Sequence, residues 1–97
     1  MRSLLVVAPA LLVACSTAPA QTPVHGVTPG HKCDLAGTSQ FIGKRVGRET
    51  GAAIMRDSHA AVLRWAPPGV MLTMDYREDR VTVHLSADDI VTDIKCG

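Results

Sequence analysis

Downstream of residue 40 the apolar positions change period twice. Val46, Thr50, Ala53, Ile54 and Asp57 recur at helical spacing, which predicts a helix with Val46, Ala53 and Ile54 as its buried stripe and Phe41-Ile42-Gly43-Lys44 as an apolar lead-in. Gly47 and Gly51 fall inside that stretch, and each costs about 1 kcal/mol relative to Ala in a helix interior, so neighbouring structure has to hold it. Ala61 to Ala66 then reads as a strand, ended by Pro67-Pro68-Gly69 because the prolines cannot continue a ladder. Val81, Val83 and Leu85 alternate with Thr82 and His84, the period of a strand with one buried face. A turn at Ala87-Asp88-Asp89 leads into a last strand, Ile90 to Lys95. One helix against a small sheet that ends in a hairpin is the predicted arrangement.

The beginning of the chain has a different pattern. Arg2 precedes a nearly unbroken apolar run from Ser3 to Ala14, the build of a secretory signal sequence and shorter than the roughly 20 apolar residues that span a bilayer. From Ser16 to about Lys32 the residues are rich in Pro, Ala, Thr and Gly, with Pro19, Pro23 and Pro29 interrupting any helix or central strand. This composition predicts a tether that cannot bury enough apolar area to fold by itself. The expected division is a signal segment 1–14, a tether 15–32 and one small folded domain 33–97.

Between run and tether, Leu12-Val13-Ala14-Cys15 resembles the lipobox of bacterial lipoproteins. The resemblance implies that Cys15 takes a diacylglyceryl group, begins the mature protein and anchors it almost permanently, at about 0.8 kcal/mol per buried methylene. Ser16 in the next position resembles the outer-membrane pattern, so the expected location is the envelope, on the outer membrane facing the periplasm.

Of the three cysteines, Cys33 and Cys96 remain when Cys15 is consumed by lipid, and an even pair in an oxidising compartment is expected to form a disulfide. His31 beside Cys33 is a weak metal alternative, since two candidate ligands do not make a site. Net charge is near neutral, with basic and acidic residues interleaved, which speaks against nucleic acid as a partner. Ser58-His59 are sequence neighbours rather than a nucleophile with an oriented base, so no catalytic residue is assigned.

Gly69 to Arg80 joins two predicted strands and is long for a connection in so small a domain. By pattern alone it reads as a third strand followed by a turn at Glu78-Asp79, with Met71 or Met74 in the core. However, Gly69, then Leu72-Thr73-Met74-Asp75-Tyr76-Arg77, then Asp79-Arg80-Val81 resembles the reactive loop of the potato inhibitor type I family. Ile42-Gly43-Lys44 before the helix, Pro67 and Gly69 before the loop, and Cys33 and Cys96-Gly97 at the domain's ends bring it nearer to peptidase inhibitor family 78, the fungal elastase inhibitor type.

That resemblance implies an α+β fold, one helix packed on a small mixed β-sheet with an extended reactive loop at one edge and one disulfide. It implies a substrate-like inhibitor of serine endopeptidases of chymotrypsin, elastase or subtilisin type, with its reactive bond between Met74 and Asp75. Val70, Met71, Leu72, Thr73, Tyr76 and Arg77 would contact the protease. Arg80 would support the loop by reaching Thr73 and Asp75, while Thr82 stands where the plant pattern has a second supporting Arg. No cofactor or metal is expected, the partners are the protease and the membrane through Cys15, and the domain is expected to be a monomer. The alternative is an envelope binding or structural lipoprotein that has the same fold without inhibiting.

Overall fold

The structure, a computed structural model, describes residues 24–97. The signal segment, Cys15 and the first part of the expected tether lie outside the described residues. A short 3-10 turn, Ser39–Phe41, is followed by helix α1 (Arg48–Ser58) and three strands, β1 (Val62–Ala66), β2 (Arg80–Leu85) and β3 (Val91–Cys96). The strands lie in the order β1-β2-β3, with β1 parallel to β2 and β3 antiparallel to it. The sheet is therefore mixed, with one helix packed on it.

α1 begins later than the periodicity predicts. Gly47 is its N-cap in an extended conformation, φ −164° and ψ 171°, so Val46 precedes the helix. The expected lead-in instead runs beside β3: Val91 donates to the Lys44 carbonyl at 2.9 Å, Val46 donates to the Asp89 carbonyl at 2.8 Å, and Arg45 bridges Ile90. Val46 and Ala53 still pack against the core, but Ile54 is the helix's fully buried apolar residue. Gly51 is also buried, because a Cβ there would lie 3.0 Å from Trp65 Cζ2 of β1. The ring takes the space that makes Gly costly elsewhere in a helix. At its far end α1 stops at His59, a left-handed C-cap with φ 62°.

β2 is buried on both faces, not on one as its alternation suggests. Val81, Val83 and Leu85 face the core with Phe41, Ile54, Ala60, Val91 and Ile94. Arg80 and Thr82, on the opposite face by the period of two, are covered by other parts of the chain. In β3 the buried residues are Val91 and Ile94, a spacing that a regular strand does not give. The pairing Leu85↔Val91 next to His84↔Asp93 leaves Thr92 as an extra residue, a bulge that shifts the face by one.

Parallel pairing of β1 with β2 also accounts for the length of the connection. Parallel neighbours cannot be joined by a tight hairpin and need a crossover of a dozen or more residues. Here the crossover is residues 67–79, opened by a turn in which Val70 donates to the Pro67 carbonyl at 3.3 Å with Gly69 at φ 82°. It contains no strand, and Met71 and Met74 are 95% and 99% exposed, so the reading of a third strand with a buried Met is wrong. A disulfide joins Cys33 to Cys96, tying the start of the domain to the end of β3.

Candidate functional site

The crossover projects Met71, Thr73, Met74, Asp75 and Tyr76 into solvent, with Val70 exposed at its start and Leu72 half-buried. An apolar side chain held almost wholly in water loses favourable burial, so a loop that keeps one at its tip must be fixed by something else. On either side of Met74 the chain is fastened to the sheet by an arginine.

Arg80, the first residue of β2 and nearly buried, donates from Nη2 to the Asp75 carbonyl. The same nitrogen lies 3.7 Å from Asp75 Oδ1. It was expected to reach Thr73 as well, and it does not. Its Nε is buried without a partner among the described residues. Thr73 is held instead by Arg64 of β1, whose Nη1 donates to Thr73 Oγ1 at 3.1 Å while its Nε donates to Thr82 Oγ1 at 3.3 Å. Arg64 and Thr82 are cross-strand partners, so an arginine from the neighbouring strand extends over the position that lacks one. Thr82 in turn donates to the Gly97 carbonyl at 2.7 Å.

Sequence reasoning did not single out Arg64. The available signal was a charged residue in the middle of the apolar run Val62-Leu63-Arg64-Trp65-Ala66, where it needs a polar partner to be accommodated.

Asp75 ionises readily. The Thr73 hydroxyl first, then His25, and more weakly the Arg80 charge, hold its carboxyl well below the usual carboxylate range. Tyr76 lies across the end of the chain, where a Cβ on Gly97 would fall 2.6 Å from Tyr76 Cδ2. Gly97 also has φ 102°, a backbone that L side chains rarely adopt. The contact explains why a glycine follows Cys96.

Beyond Tyr76, Arg77 turns back and donates twice to Asp79, Nε to Oδ1 and Nη2 to Oδ2, both at 3.0 Å. Asp79 has no exposed surface and also accepts from Thr28 Oγ1 at 2.6 Å. Arg77 is therefore bound within the loop's base more than it is free for a partner. These bonds, Arg77 first and Thr28 second, lower the Asp79 pKa from 3.8 to about 2, and the same ion pair raises that of Arg77. A carboxylate with a depressed folded pKa contributes stability above its unfolded pKa and loses it as pH falls through the folded value. The melting temperature should drop between about pH 4 and pH 2. Asp79→Asn should lower it at neutral pH and flatten that acid limb; thermal melts across this range check the point, and superimposable profiles for the two proteins would contradict it.

His31 and Cys33 do not form a ligand pair. Cys33 is spent in the disulfide, and His31 Nδ1 lies 3.0 Å from the His59 carbonyl. Ser58 Oγ donates to the Met55 carbonyl at 3.3 Å and accepts from the Ala60 amide at 3.3 Å, a helix-end arrangement rather than an activated nucleophile.

The family model of the peptidase inhibitor I78 family matches residues 33–97, which include the disulfide, the helix, the sheet and the exposed crossover. The chain belongs to this family. A solved structure, that of elastase inhibitor AFUEI (crystal form II), matches with a TM-score of 0.50 and 20% identity, covering 61% of this chain and 81% of that one. At that identity the likeness shows a shared fold. No match was found among curated proteins. As a member of the I78 family the protein is a peptidase inhibitor, not an enzyme. Arg64, Arg80, Asp79 and Gly97 fasten the exposed crossover within this fold.

Proposed function

We propose that the protein inhibits serine endopeptidases of chymotrypsin, elastase or subtilisin type in the manner of a substrate, with Met74–Asp75 as the reactive bond. The observation that carries this is the 99% exposure of Met74 between two residues each gripped by an arginine from the sheet. A loop already fixed binds without the ordering cost of a flexible peptide, about 0.5 to 1.5 kcal/mol per immobilised side chain. Met74 enters the primary specificity pocket, where a flexible thioether suits a medium-sized apolar cavity. The target's serine hydroxyl attacks the Met74 carbonyl carbon, its proton passes to the departing Asp75 nitrogen, and an ester forms. Because the Asp75 carbonyl remains tied to Arg80, the amine stays close and can reverse the step.

The test is a panel of serine endopeptidases titrated with the protein, followed by mass spectrometry of the slowly cut product. Competitive inhibition with cleavage after Met74 supports the reading. If no member of a broad panel is inhibited, an envelope binding or structural role takes its place.

The same proposal places the domain on the bacterial envelope, exported by the segment 1–14 and held by lipid on Cys15, facing the periplasm. Among the described residues no helix is long and apolar enough to cross a membrane. Replacing Cys15 with Ser should move the protein from the detergent-rich to the aqueous phase in detergent phase separation; unchanged partitioning would refute the anchor.

A further inference from the structure

The segment ahead of the disulfide, expected to be the end of a tether, is folded against one half of the loop. Val24-His25-Gly26-Val27 closes through the Val27 amide to the Val24 carbonyl at 3.1 Å, and Thr28-Pro29-Gly30-His31 closes through the His31 amide to the Thr28 carbonyl at 3.0 Å. Gly26 and Gly30 have φ of 78° and 79° in the third position of each turn, where a type II turn calls for glycine. Pro29 supplies the fixed φ suited to the second. The composition that suggested a tether is that of two consecutive turns.

This arm meets the loop after the proposed reactive bond. His25 Nε2 lies 3.2 Å from Asp75 Oδ2. The Gly26 carbonyl accepts from the Asp79 amide at 3.0 Å, and the Cys33 amide donates to the Glu78 carbonyl at 2.7 Å. Thr28 holds the Asp79 carboxylate, and Gly26 is so close to Arg77 that a Cβ on it would fall 2.9 Å from Arg77 Cα. Among the described residues no hydrogen bond joins the arm to Val70–Met74. The two halves of the loop are therefore held unequally, the half after Met74 by β2, the chain end and the arm together.

We infer that Val24–Lys32 is a working part of the inhibitor, a strap that keeps the amine released at Asp75 in position to re-form the bond, with His25 as the positioning residue that grips Asp75. The inference rests on the reactive-bond reading above. Cleavage adds water across Met74–Asp75 and yields a Met74 carboxylate and an Asp75 ammonium group. Re-formation through the enzyme requires the deprotonated Asp75 amine to attack the Met74 ester and expel the serine oxygen. None of the arm's contacts uses the bond that breaks, so each can persist in the cut protein. They limit the freedom gained on cleavage, which is what drives an ordinary peptide toward hydrolysis.

The experiment uses the full chain and a trace of the inhibited protease, starting once from intact and once from cut protein, and measures the cut-to-intact ratio at equilibrium by mass spectrometry. His25→Ala should raise that ratio roughly two- to fivefold, the size expected for losing one exposed polar contact of this kind. His25→Lys, which again places a nitrogen donor opposite Asp75, should return it toward the wild-type value. Gly26→Ala, which forces the arm off Arg77, should raise it further. A merely structural arm would lower the melting temperature of the intact protein and leave the ratio unmoved, so the two are measured together. Ratios equal to wild type in both His25→Ala and Gly26→Ala, with wild type cut after Met74, overturn the inference alone. Cleavage of wild type at a different bond overturns the reactive-bond reading and the inference with it.

Discussion

Met74→Ala is expected to weaken inhibition of a chymotrypsin-like enzyme by about 2 to 4 kcal/mol, the cost of truncating a central interface anchor. In the free protein Met74 is almost fully exposed, so its removal should change folding stability very little. On the proposed reading its thioether chain leaves water only inside the target, so nearly all of its contribution appears on binding. Met74→Lys should redirect inhibition toward trypsin-like enzymes, whose pocket recognises a cation. The supports should behave differently. Arg80→Ala removes the donor to the Asp75 carbonyl, and Arg64→Ala removes the one to Thr73, so either should speed cleavage after Met74 without changing which enzymes are recognised. Inhibition constants and cleavage rates for the four variants on chymotrypsin, elastase and trypsin are the measurement. If Met74→Ala and Arg80→Ala both leave them unchanged while the wild-type protein inhibits, the reactive bond lies elsewhere.

The periodicities disclosed elements and hid their relations. Helical spacing located Ala53 and Ile54 correctly but carried Val46 into the helix, since a three-to-four spacing cannot register that Gly47 is extended and caps it. Alternation in Val81-Thr82-Val83-His84-Leu85 identified β2 but could not show that Arg80 and Thr82 would be covered from the other side. That covering comes from residues 64, 75 and 97, far apart in the chain. Parallel pairing of β1 with β2 left a trace in the sequence only as the length of the Gly69–Arg80 stretch. The family resemblance, which is carried by residues within the loop, pointed to Arg80 and to the missing arginine at Thr82. It could not point to Arg64, because that substitution of one support by another depends on the register Arg64↔Thr82. Pro29 and the glycines of the arm were visible as breakers, but reading them as two turns needs their spacing, with Pro second and Gly third in Thr28-Pro29-Gly30-His31.

Removing the disulfide is expected to have the largest effect on the folded domain. Cys33 and Cys96 are separated by 63 residues, and closing a loop of that length stabilises by about 4 kcal/mol in the chain-entropy model. The core it secures is small, with buried apolar side chains from Phe41 to Ile94, and domains of this size commonly depend on such a link. The bridge also joins two supports of the loop. The Cys33 amide binds the Glu78 carbonyl, and Cys96 positions Gly97 beneath Tyr76 and beside Thr82. A Cys33→Ala, Cys96→Ala double variant should therefore lose stability by about 2 to 5 kcal/mol and become a faster substrate even at temperatures where it remains folded. Denaturant titration measures the first effect, and the cleavage rate after Met74 in the folded range measures the second. Loss of stability with no change in cleavage rate would mean that Glu78 and Gly97 hold their places without the bridge. An unchanged midpoint would mean that the core alone is sufficient.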